Sequence, residues 1–357
     1  MIRITVIILL GLLLGRGASA QRHYVCYYTP ERPTIDGSGA EAAWQKAAWT
    51  EDFMDIEGDI RPRPALRTRT KLLWDSVNLY IYAEMQEPDL WSEMSQHDMP
   101  LYKENNFEFF IDPDNDTHNY FELEINALGT VMDLFLTKPY RNGGKALPGW
   151  EVSGLRSAVR LSGTLNRPGD KDQGWSAEMA IPLKSLQLLG EKRLGDSSLV
   201  RVNFSRVEWN RDVVGGKYVP RMDAATGRRL PEHNWVWSAQ GIINMHAPEK
   251  WGYLLLTSRP VGGDTVALVV SDEENARQYL WDVYYRQRKY LADHGRYAKG
   301  LEALGLGPIV QDEKGGTLRL EMEATTMQYM VVLKGSSFQG ALRIDQDGKL
   351  VSGIGKY

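Results

Sequence analysis

Acidic side chains recur along one stretch of the sequence, where they could hold a metal ion or bind a polar ligand. The segment FFIDPDNDTHNYFELEINALG carries Asp112, Asp114 and Asp116 at every second position. Glu122 and Glu124 follow with the same spacing. Carboxylate oxygens are ligands that Ca²⁺ prefers, and they also accept hydrogen bonds from hydroxyl groups. The spacing alone is compatible with either chemistry.

The strand pattern predicts that three glutamates share one face of a sheet. In NNFEFFID and NYFELEIN, apolar residues alternate with polar ones, as in a half-buried strand. If the apolar side chains face the core, Glu108 lies on the same polar face as Glu122 and Glu124 when the strands pair. Carboxylates placed together repel one another unless cations compensate them. Arg69 and Arg201 are the candidates for those counter-charges.

A sheet face lined with carboxylates, guanidinium groups and amides matches a sugar, because each sugar hydroxyl both donates and accepts hydrogen bonds. Asn126 and Asn203 would supply the amides. Tyr102 and Trp209 lie in predicted loops, where their rings could stack on the apolar face of a pyranose. The alternative is an ordinary solvated outer face with aromatic residues that only close the core.

The three aspartates have the first part of a calcium-loop pattern, D-x-D-x-D. The remainder of an EF-hand is missing, because Thr117 stands at the glycine position and no glutamate occupies the twelfth position. The composition of DPDNDTHN is also that of a turn. Both a structural calcium ion held by Asp112, Asp114 and Asp116 and a plain turn remain open.

Catalysis is the other possible use of the acidic strand. Glycoside hydrolysis needs two carboxyl groups about 5–9.5 Å apart with different pKa values. Glu122 and Glu124 would be about 7 Å apart along one strand. Their similar surroundings give no reason for the pKa values to differ, so binding is favoured over hydrolysis. The sequence also contains no HExxH and no G-x-S-x-G motif.

The elements that must position these residues are mostly strands. Residues 66–257 form short period-two runs separated by Gly, Pro, Asn and Asp, which predicts an all-β, antiparallel β-sandwich of the immunoglobulin or jelly-roll kind. Beyond residue 260, Ser271 and Glu274 have capping-box spacing and Gly295 is a natural helix end. That helix and three predicted short strands form a small α+β module. We therefore predict a sandwich over residues 21–260 and a module over residues 261–357.

The N-terminus predicts export. Residues 4–14 form an apolar run after Arg3, and Ala18-Ser19-Ala20 resembles a cleavage site. The run is shorter than the about 20 residues that span a bilayer, so residues 1–20 are predicted to be a signal peptide. The mature chain would be secreted, periplasmic or at the cell surface, without a transmembrane anchor. Its 40 basic and 46 acidic residues give a net charge near −6, which argues against a nucleic-acid partner.

An ordered set of motifs resembles the family 9 carbohydrate-binding modules. The resemblance covers about residues 32–257 and is carried by PTIDGSGAEAAW, KLLWDSVNLYIYAE, LYKENNFEFFIDPDND, YFELEINALGTVMDLFL, WSAEMAIPLKSL, RVNFSRVEW and INMHAPEKWGYLLL. It implies a β-sandwich with bound calcium and a sugar clamped between two tryptophans. By position, Glu108 matches a family glutamate on the concave sheet, and Glu122, Glu124 and Asn126 fall near its polar residues.

The clamp departs from the family pattern. Tyr102 stands where one tryptophan is expected, and Met245 falls near the other. Methionine is soft enough to pack either on a sugar or on the core. The preferred hypothesis is an exported, non-catalytic protein that binds a polysaccharide or oligosaccharide. The alternatives are a glycoside hydrolase, or a surface-assembly subunit with a degenerate sugar site whose residues 265–357 bind a protein partner.

Overall fold

A computed structural model describes residues 21–188 and 193–353 of the chain. The predicted signal peptide, residues 1–20, lies outside the described residues. One short helix, α1, spans Ala42–Lys46. The strands of the first 260 residues are β1 His23–Tyr28, β2 Met54–Asp55, β3 Thr68–Trp74, β4 Asn78–Gln86, β5 Asn106–Asp112, β6 Tyr120–Asn126, β7 Val131–Leu136, β8 Ala146–Leu147, β9 Arg156–Ser162, β10 Gly174–Pro182, β11 Leu199–Glu208, β12 Arg211–Val214, β13 Lys217–Pro220, β14 His233–Val236 and β15 Gly252–Pro260.

The hydrogen-bonded strand order is β8–β7–β6–β5–β11–β15–β1–β3–β4–β10–β9, with β14 paired to β11 and β2 paired to β14. Strand β1 joins the two layers, because it pairs in parallel with β15 and, through Tyr27 and Tyr28, with β3. The other neighbours in this order pair antiparallel. The predicted all-β sandwich is confirmed, with one parallel strand that the pattern did not indicate.

The core lies between the two layers and follows the period-two pattern. Alternate residues of β5, β6 and β11 face inward, and alternate residues of β3, β4 and β10 face them. Phe204 stacks on Phe107 and Phe109 with ring centroids 5.9 and 5.5 Å apart. Each fully buried side chain of this size stabilises the fold by about 1.5–3 kcal/mol. Because these rings point inward, the glutamates between them must point outward.

The outer face of the β3–β4–β10 layer is covered by the N-terminal segment of the chain. Trp44 of α1 is fully buried there and donates Nε1–H to Glu178 Oε1 at 2.7 Å. The backbone N–H groups of Asp36 and Gly37 donate to Glu178 Oε2 at 3.2 and 2.9 Å. Both oxygens of this buried carboxyl group therefore have donors.

The C-terminal α+β module contains the predicted helix, α2, at Asp272–His294. Ser271 caps it by accepting a hydrogen bond from the backbone N–H of Glu274, and Gly295 ends it with a φ of 67°. Its strands are β16 Ile309–Gln311, β17 Thr317–Ala324, β18 Tyr329–Gly335, β19 Leu342–Asp345 and β20 Leu350–Ser352. Strands β17 and β18 and the pair β19–β20 correspond to the three predicted short strands, and β16 was not predicted. Within the described ranges, no helix combines the length and hydropathy needed to cross a membrane.

Charged groups join the module to the sandwich. Arg201 Nη2 lies 2.8 Å from Glu274 Oε1, and Arg277 pairs with the same carboxylate at 2.7 Å. Arg277 also donates Nη1–H to the carbonyl of Asn115 at 2.6 Å. Removing one partner from such a buried pair typically costs about 3–5 kcal/mol, because the remaining charge is left uncompensated. The contact between the module and the sandwich therefore depends on the buried charges of Arg201, Glu274 and Arg277.

Candidate functional site

The predicted cluster of glutamates exists on the outer face of β5 and β6. Glu108 lies directly opposite Glu124, and Phe110 lies opposite Glu122. Each of the three carboxyl groups offers an oxygen within 4.8 Å of the others. The expected wet face is not observed, because Glu108, Glu122 and Glu124 are only 4%, 5% and 1% exposed.

Apolar neighbours explain this burial. The outward-facing Phe110, Tyr120 and Leu134 pack with Trp251 in a second small core beside the glutamates. Met245 packs against the same cluster and is half-buried. The carboxyl groups therefore lie in low-dielectric surroundings on the sheet face, where charge is costly.

Hydrogen bonding in the cluster is incomplete. The Asn106 amide donates to Glu108 Oε1 at 3.2 Å and to Glu124 Oε2 at 2.6 Å. Glu122 Oε2 and Glu124 Oε1 are buried without a donor among the described groups. None of the ion pairs found in residues 21–188 and 193–353 involves these three glutamates. A buried acceptor without a donor costs about 1–3 kcal/mol, so this cluster is strained unless a ligand or protons satisfy it.

Burial and mutual repulsion raise the pKa values of the cluster. Burial raises the pKa of Glu108 to about 7, although the Asn106 amide opposes this shift. Burial and the neighbouring Glu108 raise the pKa values of Glu122 and Glu124 well above their usual range. The raised pKa values favour the protonated forms of Glu122 and Glu124, and a protonated carboxyl group both donates and accepts hydrogen bonds.

Two tyrosines lie beside the cluster and remain about half exposed, Tyr102 at 48% and Tyr140 at 47%. Burial raises the pKa of Tyr140 to about 12, with further contributions from Glu122, Tyr102 and Glu124, so its phenol lies near all three. The short helical turn at Leu101–Lys103 positions Tyr102, and a turn at Tyr140–Asn142 positions Tyr140. The sequence analysis missed Tyr140; its only local signal was an aromatic residue in the turn-rich segment KPYRNGG.

His246 was also missed, and it holds Tyr140 in place. The two rings are in edge contact at 4.5 Å, and His246 Nδ1 lies 3.1 Å from the Tyr120 hydroxyl. Burial and the nearby Arg141 lower the pKa of His246 to about 4, so the ring is neutral at neutral pH. A neutral imidazole next to the glutamates does not compensate their charge.

Trp209 and Met245 lie at the edge of this region, and other residues of the protein contact part of each side chain. Trp209 donates Nε1–H to the carbonyl of Tyr102 at 3.1 Å, so the two predicted aromatic residues are neighbours. The Arg229 guanidinium covers one face of the Trp209 ring at 3.3 Å. The Met245 sulfur accepts a hydrogen bond from the Gln240 amide at 3.2 Å.

The predicted counter-charges Arg69 and Arg201 do not face the glutamates. Arg69 belongs to β3 in the other layer, where it pairs with Glu84 at 2.8 Å and lies over the Trp49 ring. Arg201 shares the outer face of β11 but turns toward the module and pairs with Glu274. Both assignments were wrong, because strand patterns show which residues are polar but not which sheet or partner they meet.

Asn126 and Asn203 are hydrogen-bonded within the protein itself. The Asn126 amide donates to the Met94 carbonyl and to Glu104, and its oxygen accepts from backbone N–H groups. The Asn203 amide donates to the Ser238 carbonyl and accepts the Ser238 N–H. Both are fully buried. Their predicted sugar contacts are therefore corrected to structural roles that hold neighbouring loops.

The three aspartates converge as predicted, with ligand atoms within 4.8 Å of one another. The Asp112 oxygens accept hydrogen bonds from the backbone N–H groups of Asn115 and Thr117 at 3.1 and 2.8 Å. Asp116 lies 3.3 Å from Lys349 of the module. Burial and the two neighbouring aspartates raise the pKa of Asp112 well above its usual range.

Comparison with known proteins adds a family and several distant relatives. The family model described as carbohydrate family 9 binding domain-like matches residues 35–259. Endo-1,4-beta-xylanase C of Paenibacillus barcinonensis is 26% identical over 163 residues, which are 46% of this chain. The matched part is only 13% of that enzyme, so this chain covers a small fraction of its length.

Two solved structures match this chain at low identity. A family 9 carbohydrate-binding module from Caldicellulosiruptor kristjanssonii, in complex with cellotriose, has a TM-score of 0.43 and 17% identity over 70% of this chain and 100% of its own. A putative carbohydrate-binding protein from Bacteroides uniformis has a TM-score of 0.48 and 14% identity, covering 66% of this chain and 100% of its own.

Proposed function

This chain belongs to the carbohydrate family 9 binding domain-like family, and we propose that it binds a saccharide at Glu108, Glu122 and Glu124, with Tyr102 and Tyr140 at the rim. The observation that carries the proposal is the pair of buried oxygens, Glu122 Oε2 and Glu124 Oε1, which no donor outside the glutamate cluster reaches. Hydroxyl groups of a sugar would satisfy them.

The raised pKa values favour protonated glutamates, which suit this role better than ionised ones would. A sugar hydroxyl needs one acceptor and one donor, and a protonated carboxyl group offers both. A neutral site also avoids the cost of desolvating an unpaired carboxylate when a ligand covers it. Glu108 and Glu122 keep a small exposed fraction, so we expect single hydroxyl groups to reach them while the sugar ring stays at the rim.

The tyrosines supply the apolar part of the site. Each ring has about half of its surface exposed, and a pyranose presents flat C–H faces that pack on such rings. Tyr140 therefore takes the second aromatic position that the sequence analysis placed near Met245. Trp209 would extend this surface only on the ring face that Arg229 does not cover.

Calorimetric titration of the mature chain, residues 21–357, against neutral mono- and oligosaccharides tests the proposal, with a glycan array to identify the ligand. We expect Glu122→Leu to weaken the binding that the array detects at least tenfold. Arg69→Ala is the matched control, because Arg69 lies on the other layer and should leave binding unchanged. Absence of binding to all plant, algal and host glycans would refute the proposal.

Hydrolysis is not part of the proposal, because a retaining mechanism needs one ionised carboxylate as nucleophile. Glu122 and Glu124 instead both have raised pKa values at the same buried location. An oligosaccharide turnover assay separates the two functions. Cleavage that is lost in Glu122→Gln while binding persists would replace binding with catalysis as the function of this site.

A calcium ion at Asp112, Asp114 and Asp116 is a separate proposal about stability. The fit is supported by three converging carboxylates and by Asn115 Oδ1, a buried acceptor that has no donor. Ca²⁺ prefers oxygen ligands of this kind, and backbone carbonyl or water oxygens would complete the six to eight that it takes. We expect CaCl₂ to raise the melting temperature of chelator-treated protein and Asp114→Asn to remove that rise. Identical melting curves with and without CaCl₂ would count against the ion.

Export and a protein partner also remain proposals. The fold is consistent with cleavage after Ala20, because Gln21 donates to the carbonyls of Glu249 and Trp251 and β1 begins two residues later. N-terminal sequencing of secreted or periplasmic protein should begin at Gln21. A partner bound through residues 265–357 should be lost from pull-downs when those residues are deleted, provided that the sandwich alone is shown to remain folded.

A further inference from the structure

A second group of ionisable side chains lies away from the glutamate cluster, at the start of β7. His97 Nε2 is 2.9 Å from Glu151 Oε2, 3.5 Å from Asp133 Oδ1 and 3.6 Å from Asp98 Oδ1. One ligand atom from each of the four residues lies within 4.8 Å of the others. Asp133 alternates along β7 with Met132 and Leu134, which belong to the glutamate face, so it points to the other side of the sheet.

Hydrogen bonds orient His97 as a metal ligand. Its Nδ1 lies 2.8 Å from the Val131 carbonyl, which can only accept, so Nδ1 carries a proton. Nε2 then points at the carboxyl groups and is free to ligate once it loses its proton. A metal-binding histidine commonly donates its other N–H to a backbone carbonyl in this way.

The acidic oxygens lack partners even though they are buried. The Asp133 side chain is 2% exposed, and its Oδ1 has no hydrogen-bond partner, while Oδ2 accepts the Val152 N–H at 2.6 Å. Asp98 Oδ1 is likewise buried without a partner. A protonated His97 can direct its single Nε2–H at one acceptor, and Glu151 is the nearest. Three carboxylates therefore face a single imidazole N–H, which can donate a hydrogen bond to only one of them.

We propose that His97, Asp98, Asp133 and Glu151 form a binding site for a divalent metal ion of the Zn²⁺ type. Metal–ligand bonds of about 2.0–2.2 Å in a tetrahedron separate neighbouring ligand atoms by about 3.3–3.6 Å. The distances from His97 Nε2 to Asp133 and Asp98 fall at this spacing. Glu151 is closer, but its side chain is 57% exposed and can move outward to accommodate an ion.

The donor set identifies the class of metal. An imidazole nitrogen with carboxylate oxygens suits Zn²⁺ and its neighbours in the first transition series, whereas Ca²⁺ takes six to eight oxygen ligands. An ion here would connect three segments: the loop that precedes Tyr102, strand β7, and the loop that ends at Val152. Asp98 has a left-handed backbone, with a φ of 61°, and its N–H donates to the Val131 carbonyl at 3.1 Å. The loop is thus already held in the ligating position.

The test uses the mature full chain without a histidine tag, freed of metal by a chelator and titrated with ZnCl₂ in a calorimeter. We expect one Zn²⁺ to bind, His97→Gln to weaken binding at least tenfold, and Glu151→Gln to weaken it while leaving the buried Asp133 intact. His294→Gln is the matched control, because His294 is exposed on α2 and its Nδ1 contacts only its own helix. CoCl₂ should produce the visible absorption bands of tetrahedral Co²⁺ in the wild type and not in His97→Gln.

Two results would overturn the proposal. The first is no Zn²⁺ binding to the wild type, which would leave His97 as an imidazolium among carboxylates. The second is Zn²⁺ binding that neither His97→Gln nor Glu151→Gln alters, which would place the ion at another cluster. Circular dichroism of each variant shows that it is folded, so a loss of binding is attributed to the ligand that was removed.

Discussion

The two outer faces of the sandwich each contain a buried glutamate, but they treat it in opposite ways. On the β3–β4–β10 layer, Glu178 is fully buried and receives hydrogen bonds from Trp44 and from two backbone N–H groups. On the β5–β6 layer, Glu122 and Glu124 are as deeply buried, yet each has an oxygen without a donor. Burial alone therefore does not distinguish a structural carboxyl group from one poised to bind a ligand.

The difference shows that unsatisfied hydrogen-bonding capacity is the informative quantity. A protein usually pairs its buried polar groups, since an orphan acceptor costs about 1–3 kcal/mol. Where buried acceptors in a cluster stay without donors, a ligand that donates hydrogen bonds to them removes this cost and gains affinity. Glu274, at the contact between module and sandwich, is a third buried glutamate. Arg201, Arg277 and Tyr253 surround it, so its carboxyl group has partners, as that of Glu178 does.

The largest expected effect is on stability, at Glu178. Glu178→Ala leaves the buried Trp44 Nε1–H and two backbone N–H groups without acceptors, and we expect the free energy of unfolding to fall by about 3 kcal/mol. Urea denaturation at pH 7 measures it. Glu84→Ala is the control: Glu84 is a partly exposed partner of Arg69, and its loss should cost about 1 kcal/mol or less. Equal losses for both variants would contradict the structural role of Glu178.

Glu122→Leu should have the opposite effect: it should not lower stability, but it should weaken saccharide binding. Removing a buried carboxyl group that lacks donors relieves its desolvation, so the free energy of unfolding should stay constant or rise by about 1 kcal/mol. Saccharide affinity should fall at least tenfold, because the hydroxyl contacts are lost. Calorimetry and urea denaturation on the same preparation check both results. A loss of stability as large as that of Glu178→Ala would remove the contrast between the two faces.

The two kinds of carboxyl group should also differ in pH dependence. The folded-state pKa of Glu108 is raised from 4.5 to about 7. The native state therefore keeps this proton after the unfolded chain has released it. The resulting stability is fully present below about pH 4.5 and is lost as the pH rises through about 7. Melting temperatures between these values should decline less steeply in Glu108→Gln than in the wild type.

Glu274 should respond in the opposite direction. Burial alone would raise its pKa, but Arg201 and Arg277 outweigh burial and lower it. Its stabilising contribution is present above the unfolded-state pKa and is lost as the pH falls through the folded-state value. Glu274→Gln should therefore flatten the acid side of the melting curve. If Glu108→Gln and Glu274→Gln changed the same side of the curve of melting temperature against pH, the assignment of the two environments would be incorrect.

The smallest expected effect concerns the rim. Tyr102→Ala should weaken saccharide binding by about 0.5–1.5 kcal/mol, because a half-exposed ring contributes stacking area but no buried polar contact. Tyr102→Phe should bind as the wild type does, since the ring is retained. Competition binding assays resolve differences of this size. Equal losses in both variants would mean that the hydroxyl group, and not the ring face, makes the contact.

Much of this architecture could be predicted from local sequence patterns. The alternation in NNFEFFID and NYFELEIN correctly placed Glu108, Glu122 and Glu124 on one face, because successive side chains of a strand point to opposite sides. The capping pattern at Ser271 and the glycine at residue 295 correctly located α2. The aspartate spacing correctly indicated a convergent turn. Each of these features depends only on residues a few positions apart.

The partners of those residues were decided by tertiary structure. Whether Arg201 meets the glutamates or Glu274 depends on a helix that begins about 70 residues later, and the hydrogen bonds of Asn126 depend on a loop that packs from another segment. Tyr140 reaches the site from a turn that no strand pattern marks. The sequence by itself determined which way each side chain points, because backbone geometry is local. Only the fold decided what covers, charges or satisfies that side chain, because those neighbours come from distant parts of the chain and their positions follow from packing of the whole.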